Sequence, residues 1–216
     1  MNFYIMLEQE ELFYERLAAS LEKPLPGWEA QIKMASKYGK TSRVKVPENP
    51  REGGVLALLY PKNEELHICF MERSKDGGVH SGQVSFPGGK REAYDINMEA
   101  TALREAEEEM GIPADQVEII GAFSQLYIPA SNFMVSPFVG RLDFRPNFQL
   151  EDREVAQLIE LPLQRLLTEE SQEVKINLRE NMTVEAPAWL MDGHVIWGAT
   201  AMMLSELLTI IRKLRI

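Results

Sequence analysis

The strongest constraint on this chain is a single stretch, Gly88 to Ile112 (GGKREAYDINMEATALREAEEEMGI), in which a glycine pair runs into an acidic helix. Met98 to Met110 keep helical spacing, Asp95 stands where an N-cap is expected, and Gly111 followed by Pro113 is a strong stop signal. At about 100° per residue, Glu105, Glu108 and Glu109 fall on one arc, with Ala102, Leu103, Ala106 and Met110 on the arc beside it. Such a helix packs through small apolar side chains and still presents three carboxylates together. Gly88 and Gly89, before it, free the backbone for an unusual turn.

Between Glu92 and Glu109, seven acids (Glu92, Asp95, Glu99, Glu105, Glu107, Glu108, Glu109) face one base, Arg104. Like charges at this density repel, so either solvent covers the face or cations sit on it. Hard divalent cations such as Mg²⁺ or Mn²⁺ take oxygen ligands and bridge carboxylates to phosphates, which suits a carboxylate cluster to a diphosphate. Water then serves as the nucleophile without a serine or cysteine. Arg104 lies four residues before Glu108, the spacing at which an ion pair orients a carboxylate.

The rest of the chain reads as strands with helices interspersed. Gly53–Tyr60 and Leu66–Met71 are apolar runs around Pro61–Glu64, an antiparallel pair joined by a turn. Gln83–Phe86 is a brief strand, and Val117–Leu126 and Phe133–Val139 are further strands around the Ile128–Ser131 loop. Leu161–Leu167 reads as a short helix and Gly198–Leu214 as a long one. Before Pro24–Gly27, Leu12, Phe13, Leu17 and Leu21 mark an amphipathic helix, so residues 1–30 are expected to form a helical extension and 31–216 the main domain. The connections are too irregular for repeated βαβ winding; the expected class is α/β (α+β) with a mixed sheet between helices.

With 216 residues and 45% apolar content, the chain can build one substantial core. A net charge of -10 opposes binding along a phosphate backbone, which excludes nucleic acid as a first expectation. The first residues lack a basic segment ahead of their apolar run, and Val195–Ile211 falls short of the roughly 20 residues that cross a bilayer. A cytoplasmic protein without a membrane partner is therefore expected. The lone cysteine, Cys69, excludes an internal disulfide and a thiolate-rich zinc site, and its apolar neighbours give it a core position.

The stretch resembles the Nudix box, a glycine and linker acid followed by Arg-Glu-aliphatic-x-Glu-Glu-x-Gly-aliphatic, matched here at Gly89, Arg104, Glu105, Ala106, Glu108, Glu109, Gly111 and Ile112. The linker acid is Asp95 rather than glutamate, one residue further from Arg104 than in the general box. That form is similar to the coenzyme A diphosphatase branch, as are Arg73-Ser74, His80 to Gly89, Leu126 to Pro129, Pro137 to Gly140, Glu160 to Leu163 and Trp197 to Ala201. The resemblance covers roughly residues 50 to 210. It implies a Nudix-type α/β/α sandwich and Mg²⁺- or Mn²⁺-dependent hydrolysis of coenzyme A or an acyl derivative to 3′,5′-ADP and 4′-phosphopantetheine. Carried over by position, it makes Glu105, Glu108 and Glu109 metal ligands, with Gly89 or Gly88 lending a carbonyl and Arg104 orienting the acids.

Glu154 is the candidate general base from a loop beyond the box, against a reading in which it is merely solvated. Arg73 is the candidate for the extra phosphate of coenzyme A, against a structural salt bridge at a strand end. Ser74, His80 and Gln83 are candidates for shaping the substrate site, and Tyr127, Phe133 and Phe138 are expected in the core. ADP-ribose, a dinucleotide or a nucleotide sugar is the alternative substrate, and a catalytically silent Nudix fold acting as a ligand sensor is the alternative of another class. The oligomeric state stays open, a homo-oligomer included. A P-loop is excluded because Arg91, not Ser or Thr, follows Gly89-Lys90.

Overall fold

A computed structural model describes residues 3–37, 45–75, 77, 80–179 and 182–214. Helix α1 spans Phe3–Leu21, and a short α2 (Trp28–Gln31) leads into a 3-10 turn at Ile32–Met34. Strands β1 (Arg51–Lys62) and β2 (Glu65–Arg73) pair antiparallel, as their apolar runs suggest. The turn between them takes positive φ at both Asn63 and Glu64, the backbone hand that matches strand twist in a two-residue hairpin. Then come β3 (Val84–Ser85), β4 (Gly88–Lys90) and helix α3 (Met98–Met110). After it run β5 (Glu118–Ala122), β6 (Leu126–Ile128), β7 (Phe133–Arg141), β8 (Val155–Pro162) and α4 (Leu163–Thr168). The chain continues through β9 (Gln172–Arg179), β10 (Met182–Met191) and β11 (His194–Trp197) into α5 (Gly198–Ile211).

Eight strands form one mixed sheet in the order β3-β2-β1-β7-β5, with β4 added to β1, β6 to β7 and β8 to β2. The β1–β7 pair is parallel and its neighbours antiparallel, so the expected mixed sheet is present. Strands β9, β10 and β11 make a separate antiparallel sheet. Period-two alternation along β1 builds both cores: Leu56, Leu58 and Tyr60 pack with Ala102, Ala106 and Met110 of α3, whereas Ala57 and Leu59 pack with α1 and α5. The result is the expected α/β/α sandwich. Cys69 is fully buried in the α3 side of the core.

Five local expectations are corrected. Asp95 is not the helix cap: Asn97 is, its side-chain oxygen accepting from the Ala100 N–H at 2.7 Å. Gly88 and Gly89 do not make a turn but a strand pressed onto β1, where a Cβ on Gly88 would lie 2.3 Å from the Gly54 carbonyl oxygen. Residues 161 and 162 end β8, because Leu161 alternates with Ile159 into the core before the helix begins. Leu12 is exposed, while Phe13, Tyr14, Leu17 and Leu21 enter the core shared with α5. Tyr127, Phe133 and Phe138 are only partly buried, and the first two line a groove.

The segment before β1 is tied down by Glu206, which is completely buried in α5. Its carboxylate accepts from Gly27 N–H (2.9 Å), Gln31 Nε2 (2.8 Å) and Ser124 Oγ (2.6 Å), joining three distant parts of the chain. No helix of the described residues is long and apolar enough to cross a membrane.

Candidate active site

The site is built where α3 meets β4. Small residues allow the approach: a Cβ on Gly54 would fall 2.5 Å from the Met98 carbonyl oxygen and 3.0 Å from Ala102 N, so the helix backbone lies directly on β1. That closeness carries Glu105 to the adjacent strand, where a Cβ on Gly89 would lie 2.5 Å from Glu105 Oε2. One turn on, Glu109 Oε2 accepts the Gly88 N–H at 2.8 Å. Two carboxylates thus bracket one glycine pair.

Arg104 organises the approach. Its Nε and Nη2 donate to Asp95 Oδ1 (2.9 Å) and Oδ2 (3.0 Å), a bidentate geometry, and Nη2 also reaches the Lys90 carbonyl at 3.0 Å. The same guanidinium pairs with Glu105 Oε1 at 2.9 Å and with Glu108 Oε2 at 2.8 Å. Asp95 in turn accepts from Thr101 Oγ1 and the Glu92 N–H, and these bonds with Arg104 hold its carboxyl well below the usual range. The linker acid therefore positions the arginine that positions two glutamates.

The opposite wall is the 149–154 loop. Gln149 N–H and Glu151 N–H donate to the Met110 and Glu109 carbonyls, both at 2.9 Å, so the loop closes the end of α3. From the other side Ser74 N–H donates to the Glu154 carbonyl at 2.9 Å and Ser74 Oγ to the Asp152 carbonyl at 3.3 Å. This places exposed Glu154 within electrostatic reach of Glu105 and Glu109. Arg73, on β2, pairs with Glu109 Oε1 at 3.4 Å.

Burial drives the electrostatics. Glu109 is 2% exposed; desolvation pushes its carboxyl up to about 8, against the Gly88 N–H and Arg73, and Glu105 and Glu154 add to the rise. Glu105 is raised too, first by burial, with Glu108 and Glu154 contributing against Arg104. Burial and neighbouring carboxylates that penalise ionisation of Glu105 and Glu109 suit a hard divalent cation, which would reverse that penalty. As they stand, no three acidic, histidine or cysteine side chains among the described residues are grouped closely enough to hold an ion. Glu105 and Glu109 face the glycine strand, while Glu108 is exposed and drawn to Arg104.

The remaining candidates lie along a groove of about 1990 Å³ that passes Arg73 and Gly88–Lys90. His80 and Gln83 line it and pair with each other, His80 Nδ1 lying 3.1 Å from Gln83 Oε1. Phe86, Ile128, Val174, Trp197 and Met202 supply apolar wall. Arg51 and Phe133, for which no motif spoke in the sequence, stand at this groove as well.

Fold and site together define a hydrolase domain organised round one acidic helix and a glycine strand. The chain belongs to the Nudix family, whose NUDIX domain model matches residues 50–181. It is 32% identical over 163 residues to the uncharacterized Nudix hydrolase NudL of Photorhabdus laumondii subsp. laumondii, covering 76% of this chain and 86% of the relative. A NudL of Yersinia pestis strain Pestoides F is 38% identical over 128 residues, 59% of this chain and 64% of its own. Among solved structures, the MutT protein of Methanosarcina mazei Go1 shares the fold with a TM-score of 0.51 at 16% identity, over 78% of this chain and 99% of that one. The chain is thus a Nudix hydrolase, in a family that generally uses divalent metal ions.

Proposed function

We propose that the enzyme hydrolyses the diphosphate of coenzyme A or an acyl-coenzyme A to 3′,5′-ADP and the (acyl-)4′-phosphopantetheine, acting in the cytoplasm. The observation that carries this reading is the pair Glu105 and Glu109 held against Gly88–Gly89, two glycines that line a largely apolar groove of about 1990 Å³. Most small-molecule pockets enclose about 300–1,000 Å³, so this groove suits an elongated molecule with an apolar arm.

Glu105, Glu108 and Glu109 would hold Mg²⁺ or Mn²⁺ with the Gly89 carbonyl. When bound, the ion supplies charge neutralisation at the diphosphate and an acidified attacking water. Arg104 keeps Glu105 and Glu108 in place. Glu154 takes the proton from the attacking water, whose oxygen bonds to one phosphorus as the bridging P–O bond breaks towards the other phosphate. Arg73, which the sequence offered for the extra phosphate of coenzyme A, is paired with Glu109 beside the groove and so serves the diphosphate instead; Ser74 holds the Glu154 loop, and His80 with Gln83 shapes the rim.

Product analysis after incubation with coenzyme A and Mg²⁺ tests the reading, with ADP-ribose, a dinucleotide and a nucleotide sugar as competitors. The expected result is 3′,5′-ADP from coenzyme A, with the competitors turned over at least about tenfold more slowly. Comparable turnover of ADP-ribose and coenzyme A would remove the narrow assignment.

A further inference from the structure

Among the described residues four lysines and arginines line the groove, and two of them are paired with acids. Arg73 is paired with Glu109 and Lys90 with Glu92, while Lys175 stands opposite Glu185, itself paired with Lys37, in the β9–β10 register. The fourth, Arg51, has no carboxylate partner among the described residues; its guanidinium lies over the Phe133 ring, 4.2 Å from the centroid. An arginine without an acid, in a chain of net charge -10, calls for an anion from outside.

Its setting is rigid. Arg51 opens β1, where its N–H donates to the Asn132 carbonyl at 2.8 Å, and it stands opposite Phe133 in the parallel β1–β7 register. Phe133 is pinned from below, because a Cβ on Gly53 would meet its ring at 3.2 Å. A guanidinium held over the face of an aromatic ring still has N–H groups to offer, and those groups match the oxygens of a phosphate. The Arg51 backbone and the Phe133 ring are thus fixed by the sheet.

Position selects which phosphate. Arg51 is three residues along β1 from Gly54, which pairs with Gly89, or about 10 Å at ~3.3 Å per residue. Side chains at 51, 53 and 55 share the groove face of β1, whereas Gly54 faces α3. A nucleotide whose 5′-diphosphate lies at Gly88–Gly89 therefore brings its ribose, not its diphosphate, towards Arg51.

We infer that Arg51, stacked on Phe133, is the specificity-determining residue that reads a phosphate on the substrate's ribose. The inference rests on the coenzyme A reading for the identity of that group, the 3′-phosphate, but its test requires no turnover. Calorimetric titration of the full chain with 3′,5′-ADP, 5′-ADP and 5′-AMP separates a ribose phosphate from mere added charge. The wild type is expected to bind 3′,5′-ADP at least about tenfold more tightly than either other nucleotide. Arg51→Ala brings the three within about twofold, and Arg51→Lys, which keeps the charge but loses the planar fork, lowers the preference at least about threefold. Equal wild-type affinity for 5′-ADP and 3′,5′-ADP, or an undiminished preference in either variant, overturns it. Failure to cleave coenzyme A would instead strike the substrate reading and leave these affinities to be judged alone.

Discussion

At the scale of single residues, three glutamates one helical turn apart have three different environments. Glu109 is buried and bonded to β4, Glu105 is half-buried beside Gly89, and Glu108 is exposed and paired with Arg104 at 2.8 Å. Exposure makes Glu108 the cleanest probe of the metal assignment. Glu108→Gln keeps the shape and a hydrogen-bond acceptor for Arg104 but removes the charge. We expect turnover to fall about 100-fold or more while stability stays within about 0.5 kcal/mol, read by steady-state kinetics at saturating Mg²⁺ and by urea unfolding. Wild-type turnover would remove Glu108 from the cation site. The residue identities were legible in the sequence as a spacing; their unequal burial was not, because it depends on which strand the helix meets.

Among elements, α3 and β4 matter most to function, and both depend on close backbone approach to β1. Gly54 lets α3 touch β1, and Gly88 and Gly89 let β4 lie between β1 and Glu105. Adding one methyl at Gly54 must move Met98 and Ala102, and with them Glu105. Gly54→Ala is expected to cost about 1–3 kcal/mol and to lower turnover at least about tenfold. Thermal unfolding and kcat measured on the same preparation check this; normal values for both would show that the helix can shift without disturbing the site. Sequence periodicity was enough for α3, β1, β2 and the C-cap at Gly111. It misread the glycine pair as a turn, because glycine reports only that a side chain is not tolerated, and here close tertiary contact at both residues adds to the positive φ of Gly88.

At the scale of the whole molecule, two buried or partly buried acids tie distant segments together. Glu206 joins α5 to residues 27, 31 and 124. Glu160 on β8 accepts from Tyr60 Oη (2.8 Å), Lys62 Nζ (3.1 Å) and Arg145 Nε (2.8 Å), linking β8 to β1 and to the segment after β7. Burial alone would raise the Glu160 carboxyl, but the bonds from Arg145, Tyr60 and Lys62 outweigh it and bring it from 4.5 down to about 2. A group depressed on folding contributes stability that is fully present above its unfolded value and lost as pH falls through the folded one. The wild type is therefore expected to exceed Glu160→Gln in unfolding free energy at pH 6, with the gap closing between about pH 4.5 and pH 2. Denaturant titrations at stepped pH check it, and a gap independent of pH would assign the contribution to packing alone.

The sequence by itself determined the acidic helix, its stop, the glycines before it and a mixed sheet between helices, because those follow from local periodicity and from side chains that only a few backbones accept. It also carried the family, through a glycine and a cluster of Arg104 to Ile112 at fixed spacing within one stretch. Only the tertiary structure decided that Asp95 grips Arg104 instead of capping the helix, that Ser74 anchors the Glu154 loop, and that Arg51 reaches the groove beside Phe133. Each of those depends on side chains far apart in the chain, or on the fold of the segment between them. A one-dimensional pattern records periodicity along the backbone, whereas pairing across the sheet sets which partners a charged group meets.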